Sequence, residues 1–250
     1  MSNSDTWIPK WGDIPAAIGL LSRLPISVDM HKAQARGAHP SWAYGLAGAL
    51  FGALAALAGW AGLVMGLSSL ATGLLVVGTT AWITGAMHHD GLADSLDGLW
   101  GGWSLQQRLD IMKDSHIGVY GVVGLICAIG LQATLYGHLA AQGLWPILGV
   151  MALSRAIMVP IMAALPNARS QGLSASVGRP SLQTAILAVA LGGTIAVFSG
   201  AWPALIGAPL GGLAVAAIAK HKIGGQTGDI LGASQQCAET CALIGLVALL

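Results

Sequence analysis

Charge is what this sequence has least of. Only 8% of its 250 residues are Asp, Glu, Lys or Arg, against about 25% in an ordinary soluble domain. Hydrophobic residues make up 55%, and the mean hydropathy is +0.72. That balance excludes a water-soluble globule and makes a bilayer the main solvent. Cysteine is scarce as well: Cys127, Cys237 and Cys241 form no CxxC pair, so neither a disulfide framework nor a zinc cluster is supported. A formal net charge of +1 gives no electrostatic footprint for nucleic acid. The opening Met1–Asp13 lacks the basic start of a secretory signal and carries Asp5 and Asp13, so no cleaved leader is expected.

What is present is apolar, in long runs. Between Arg36 and Asp90 there is no Asp, Glu, Lys or Arg, room for two spans of about 20 residues each. Ser115 to Ser154 and Ser181 to Ala219 each hold another pair. Six spans are predicted, near 42–64, 67–87, 118–139, 144–165, 181–199 and 203–219. The tail Thr240–Leu250 is apolar too, but at about 1.5 Å per residue it is too short to cross if its helix starts there. It either begins nearer Ser234 or stops inside the membrane. The expected fold is therefore all-α, a polytopic helical bundle of six to seven transmembrane helices forming one domain over 1–250. Its N-terminal part, about residues 1–40, is expected to be interfacial, because Ile14–Val28 is broken by Pro15, Arg23 and Pro25.

Lys10, Arg23, Lys32 and Arg36, then Arg108 and Lys113, then Arg169 and Arg179, then Lys220 and Lys222 each follow an even number of predicted spans. The turns near Ala140–Leu144 and Ser199–Pro203 hold no Lys or Arg. The positive-inside rule thus assigns all the charged segments to the cytoplasm. Trp42, Trp60, Trp82, Trp145 and Trp202 fall near span ends, as an interfacial belt requires. The spacings Gly48-x-x-x-Gly52 and Gly62-x-x-x-Gly66 suit close helix packing in lipid.

Against this background the carboxylates cluster. Five of the ten acidic residues, Asp90, Asp94, Asp97, Asp110 and Asp114, lie within 25 residues. On a helix, Asp90, Asp94 and Asp97 fall at i, i+4 and i+7, within roughly 40° of one line. At an effective dielectric near 20, each such pair about 6 Å apart repels by on the order of 3 kcal/mol. A divalent cation removes that cost, and Mg²⁺, which takes carboxylates together with water and substrate phosphates, is the natural one. A solvated acidic face is the bland alternative; the interleaved Gly91, Leu92, Ala93 and Gly98 argue against it.

Other polar segments accompany the cluster. Lys113-Asp114-Ser115-His116-Ile117-Gly118-Val119-Tyr120-Gly121 closes the loop before the third span. Its glycines expose backbone at a helix start, where an anion such as phosphate docks; equally, Asp114 or Ser115 is an N-cap. Gly224 to Ala233, with Gly225, Thr227, Gly228 and Asp229, suits close approach to a phosphate or metal. Arg155 and Arg169 are candidate phosphate contacts, with snorkelling to the interface as the alternative. His88 and His89 point about 100° apart on a helix, so only one joins the Asp90 face, as a proton-transfer group or a plain boundary histidine. His138, at an uncharged turn, is read as structural.

With these residues in view, the chain resembles the cobalamin synthase family, the adenosylcobinamide-GDP ribazoletransferases. The likeness is carried by His88 to Leu99 (H-x-D-G-L-A-D-x-x-D-G-L), Met112 to Gly121 (M-K-D-S-x-x-G-x-x-G), Pro166 to Arg169 (P-x-A-R) and Gly224 to Ala233 (G-G-x-T-G-D-x-L-G-A). Leu20 to Pro25 resembles the L-T-R-L-P start, with Ser22 for Thr. His89 stands at a variable position and Asn167 where Tyr is frequent, so His89 is not counted as a ligand and Arg169 is the firmer residue of its loop. The resemblance implies attack by a hydroxyl of α-ribazole, or of its 5′-phosphate, on the pyrophosphate of adenosylcobinamide-GDP, releasing GMP. It implies Asp90, Asp94 and Asp97 as Mg²⁺ ligands and Asp114 or Asp229 as general base, with His88 near them. Lys113, Ser115, Arg155, Arg169, Gly225, Thr227 and Gly228 would contact phosphate or substrate. It also implies the cytoplasmic (inner) membrane of a bacterium or archaeon, with the site on the cytoplasmic side. Membrane lipid is then the standing partner, and a homo-oligomer is compatible with this picture.

Two other classes compete. A transporter would place ionisable groups near the bilayer midplane, whereas every carboxylate here is assigned to a cytoplasmic segment. A CDP-alcohol phosphotransferase also uses an Asp cluster, but its usual pattern has an Arg soon after the first D-G pair, and Gly91–Gly102 contains none.

Overall fold

The structure, a computed structural model, describes residues 8–249. Among these residues the regular structure is helical, and the lone bridge between Asn167 and Gln226 is the one strand-like pairing. In chain order the helices are α1 (Asp13–Leu21), α2 (Met30–Arg36), a 3₁₀ turn (His39–Ala43), α3 (Tyr44–Val64), α4 (Ser69–Thr84), α5 (Met87–Gly101) and α6 (Leu105–Ile111). They continue with α7 (Val119–Gln142), α8 (Trp145–Ala156), α9 (Met158–Ala164), α10 (Leu173–Val177), α11 (Leu182–Phe198), α12 (Ala204–Ile223) and α13 (Gly228–Val247).

Five helices are long and apolar enough to cross a membrane: the 3₁₀ turn with α3, α7, the α8–α9 pair, α12 and α13. A sixth is reached when α4 and α5 are taken together. The 17-residue α11 is apolar but shorter. The α8–α9 helix breaks at Ile157 because Pro160 has no N–H for the carbonyl of Ala156. The tail differs from the sequence expectation. Its helix starts at Gly228, capped by Thr227, so its 20 residues measure about 30 Å, a full span. Asp229, Gln235, Gln236 and Glu239 interrupt its apolar pattern and hide its beginning.

Small residues set the packing. A Cβ on Gly48 would lie 2.2 Å from the Met151 carbonyl oxygen, and one on Gly52 would lie 2.7 Å from Leu148 Cα, so α3 and α8 cross almost backbone to backbone. Gly207 and Gly211 of α12 do the same against the carbonyls of Cys241 and Cys237. Of the second predicted pair only Gly62 packs, against Thr72 and Leu75; Gly66, at φ +71°, belongs to the turn after α3. Trp60, Trp82, Trp145 and Trp202 are exposed, as a belt requires. Trp42 is half-buried instead, and its indole N–H donates to Asp13 at 2.8 Å.

Within the expected interfacial segment, α1 packs one face into the bundle, whereas α2 has no buried residue. Ala17, Ile18 and Leu21 of α1 are buried in the main core. Asp13, 1% exposed, accepts from Arg36, Trp42 and the backbone N–H of Lys10. The part of the expected interfacial segment before Ile8 lies outside the described residues.

Between α4 and α5 the chain turns through 92°. Gly85 (φ +61°) and Ala86 (φ +58°) are both left-handed, which at alanine costs roughly 1–2 kcal/mol. The turn is fixed by Ala86 N–H to the Ala81 carbonyl at 2.6 Å and by Arg23 N–H to the Ile83 carbonyl at 2.7 Å. We therefore read α4 as the span and α5 as a helix lying across the charged end of the bundle. There it meets the start of α13 through Gly91 beside Asp229, α6 through Gly98 beside Arg108 and the following Met112, and the end of α12 through the Lys222 ammonium, which donates to the Leu99 carbonyl at 2.7 Å.

Candidate active site

Glycine brings the acidic helix to its partner. Gly91 on α5 and Gly232 on α13 cross so closely that a Cβ on Gly91 would lie 2.8 Å from the carbonyl oxygen of Asp229. Asp90, on the flank of that crossing, and Asp229, in the first turn of α13, line one cleft of about 210 Å³. Asp94, one turn further along α5, is half-buried beside them. Its carboxyl is pushed up to about 7, by burial first and then by the charges of Asp90, Asp229 and Asp97, with Arg169 opposing. The cleft thus gathers negative charge that one guanidinium does not neutralise.

Two loops hold the opposite wall. Gln226 N–H donates to the Pro166 carbonyl and Ala168 N–H to the Gln226 carbonyl, both at 2.8 Å. A Cβ on Gly225 would lie 2.2 Å from the Pro166 oxygen, so this seam requires glycine. It aims Arg169 at the cleft: one Nη donates to Asp229 at 3.0 Å, the other to the Leu109 carbonyl at 2.9 Å. Thr227 caps α13, accepting from Ile230 N–H, and its hydroxyl donates to Asp229 at 3.2 Å. Arg169, Thr227, Gly228, Asn167, Gln226 and Ser174 are among the other lining residues.

Asp97 is occupied otherwise. Its two oxygens accept the N–H groups of Gly118 at 2.7 Å and Gly121 at 2.9 Å, at the start of α7. A Cβ on either glycine would lie 2.4 Å from that carboxylate. The helix start therefore does bind an anion, but the anion is the chain's own Asp97, and neither Asp114 nor Ser115 is its cap. Lys113, Asp114 and Ser115 are exposed on the α6–α7 loop and are not part of the cleft lining. Asp114 is bonded to His116, both to its ring at 2.8 Å and to its N–H, which holds its carboxyl below the usual range.

Arg155 also departs from the phosphate-contact expectation. It is 1% exposed, donates to Glu239 at 3.3 Å and to the Met151 carbonyl at 3.1 Å, and stands 5.4 Å from the centre of the Phe51 ring. Sequence reasoning missed Glu239, and its presence in mid-α13 corrects the statement that every carboxylate is cytoplasmic. The available signal is that it is the only glutamate in the chain, inside an otherwise apolar helix. His88 and His89, 2% and 7% exposed, are buried with no partner for either ring nitrogen; His138 is near Gln142 at 3.2 Å, on the far side of the bundle.

The donor set suits a hard cation. Among the described residues no three His, Cys, Asp or Glu side chains enclose an ion by themselves. Magnesium does not ask for that: it is held by one or two carboxylates, with waters and substrate phosphates filling the octahedron. Asp90 and Asp94 on one helix, Asp229 opposite, and an uncompensated negative charge fit such a half-built site.

Fold and site together define a polytopic, all-helical membrane protein with an acidic, arginine-bearing cleft at the charged end of the bundle. Residues 13–247 match the family model described as cobalamin-5-phosphate synthase, and the chain belongs to that family. An adenosylcobinamide-GDP ribazoletransferase from Bradyrhizobium diazoefficiens is 39% identical over 242 residues, 93% of this chain and 92% of the relative. Another from Brucella anthropi is 40% identical over 255 residues, 94% of this chain and 96% of the relative. No solved structure matches the chain.

Proposed function

We propose that this protein joins α-ribazole, or its 5′-phosphate, to adenosylcobinamide-GDP with release of GMP, in the cytoplasmic membrane with its cleft on the cytoplasmic side. The observation that carries the reading is the convergence of three separate sequence motifs on one cleft: Asp90 from α5, Arg169 from the 165–181 loop, and Thr227 with Asp229 from the start of α13. Family membership over nearly the whole chain supports the substrates.

The reaction needs in-line positioning, charge neutralisation and a proton acceptor. Asp90 and Asp94 would hold Mg²⁺, which when bound would neutralise the pyrophosphate and the departing GMP, with Asp229 facing them across the cleft. Arg169, anchored at both Nη groups, presents a guanidinium edge to the phosphates. Between the two general-base candidates we favour Asp229, since it lines the cleft whereas Asp114 is exposed on a loop beyond it. Arg169 and Thr227 both bond one oxygen of Asp229, leaving the other for the ribose hydroxyl. The bend at Gly85–Ala86, which turns α5 across the charged end of the bundle, supports a site at the lipid boundary. Membranes holding the purified protein, given adenosylcobinamide-GDP, α-ribazole and Mg²⁺, are expected to yield GMP and a cobalamin product in equal amounts. Flux of substrate into vesicles without GMP would instead identify a transporter.

A further inference from the structure

A second, smaller cavity of about 60 Å³ lies behind the cleft, and the two share Met87, Leu173, Ser174 and Gly228 as a common wall. The smaller one is lined chiefly by apolar side chains, among them Leu20, Leu21, Met158 and Met162. Its polar side chains are Tyr44, Ser174 and His88, and of these His88 stands out. It is 2% exposed, it faces this cavity, and neither ring nitrogen has a partner. On α5, positions 88 and 90 point about 160° apart, so Asp90 faces the cleft while His88 faces the space behind it.

A buried N–H without an acceptor costs about 1–3 kcal/mol. Two other polar side chains lie on the wall, Tyr44 and Ser174; Ser174 is already bonded to Gln226 at 2.7 Å, so a water beside His88 would have at most the Tyr44 hydroxyl as a second side-chain partner, the bare minimum of the two to four it needs. The fitting occupant is flat, mostly apolar, and carries one hydrogen-bond acceptor. Given the function proposed above, on which this inference rests, two bases compete. Guanine, on the GDP donor, carries donors and acceptors around its edges and would leave several unpaired in such a space. The benzimidazole of ribazole has one ring nitrogen bound to ribose, one free as an acceptor, and otherwise only hydrocarbon.

We propose that this cavity receives the free-nitrogen edge of the benzimidazole, with the His88 N–H donating to that nitrogen, while ribose and phosphates occupy the cleft. His88 is then a specificity-determining residue that selects the acceptor and takes no part in the proton transfer. The short helix α10, which carries Leu173, Ser174 and Val177, is flanked by two glycines with positive φ, Gly172 at +113° and Gly178 at +87°. Leu173 and Met87 are the larger side chains of the wall between the cavity and the cleft.

The test compares two acceptors, benzimidazole riboside and indole riboside, which differ only in having nitrogen or C–H at the contact point. Wild-type protein in nanodiscs is expected to prefer the benzimidazole by about tenfold or more in kcat/KM, and His88→Leu is expected to lose that preference while His88→Gln, which keeps a donor, retains part of it. Because each ratio is taken within one variant, partial loss of folded protein does not affect it. Val177→Trp, which fills the cavity, is expected to raise KM for the riboside about tenfold while leaving KM for the GDP donor within about twofold. An equal preference in wild type and His88→Leu, or equal effects of Val177→Trp on both KM values, overturns the assignment alone. Absence of GMP release from the wild-type protein overturns the functional reading and this assignment together.

Discussion

Helix α13 carries two arginine–carboxylate pairs ten residues apart, and they teach opposite lessons. At its start, Asp229 and Arg169 meet at 3.0 Å with 24% and 15% of their side chains exposed. Further in, Glu239 and Arg155 meet at 3.3 Å with 3% and 2% exposed. The deep carboxylate is saturated: Tyr136 donates to one Glu239 oxygen, while Ser154, Gln235 and Arg155 share the other. Gln236, Gln132 and Thr240 extend the network across α7, α8 and α13. At about 16 Å from the start of α13, by helical rise, such a pair persists because both carboxylate oxygens are bonded and the guanidinium lies over the Phe51 ring. The shallow pair has an open oxygen, two more carboxylates nearby and a cleft in front of it. Saturation marks the pair that ties helices together; incompleteness marks the pair that awaits a ligand.

The comparison breaks first, and most severely, at the shallow pair. Asp90→Asn and Asp229→Asn are each expected to lower kcat/KM by about 10³, measured as GMP release, with unchanged insertion and monodispersity. Replacing both members of that pair, Arg169→Met with Asp229→Leu, is expected to leave activity absent. At the deep pair the expectation reverses. Glu239→Leu alone strands a buried guanidinium and is expected to destabilise the protein by about 3–5 kcal/mol. Adding Arg155→Met is expected to recover most of that loss, read from thermal unfolding in detergent. Failure of the double variant to recover would give the deep pair a role beyond tying helices.

A subtler break comes from Gly91→Ala, whose new methyl meets the Asp229 carbonyl at 2.8 Å. Prising α5 from α13 there is expected to cost about 1–3 kcal/mol and to reduce activity more than stability, since it separates Asp90 and Asp94 from Asp229. The smallest effect is on pH. Asp94, pushed up to about 7 mainly by burial, binds its proton more tightly folded than unfolded. The metal-free protein therefore gains stability as pH falls through about 7 toward 4 and loses it as pH rises. Mg²⁺ must displace that proton, so its affinity is expected to fall up to about tenfold per pH unit below 7, measured by calorimetry.

Much of this was legible in the sequence because lipid imposes simple rules. Missing charge gave the helical membrane fold, and the basic residues sorted themselves to one end of the bundle. Asp90, Asp94, Arg169, Thr227 and Asp229 were legible as chemistry because charge and glycine are so scarce around them. What the sequence did not reveal depends on tertiary meetings. Helical periodicity put Asp97 with Asp90 and Asp94, but whether a carboxylate faces a cleft or a neighbouring helix start is decided by where α7 begins. Arg155 looked like a phosphate contact because its partner, Glu239, lies 84 residues away. The left-handed turn at Ala86 has no residue signature, since alanine does not favour it. The start of α13 was blurred by the polar residues that build the deep network.

On the function proposed above, the Asp90–Asp229 cleft, with Asp94 beside it, works as a magnesium-assisted pyrophosphate site. Its most direct test is GMP release by wild-type protein and Asp94→Asn across a Mg²⁺ titration at fixed adenosylcobinamide-GDP and α-ribazole. The expected result is saturable Mg²⁺ dependence in the wild type, and in the variant a loss of about 10³ at every Mg²⁺ concentration or a strong shift to higher Mg²⁺. Near-normal turnover of Asp94→Asn at limiting Mg²⁺ would contradict it.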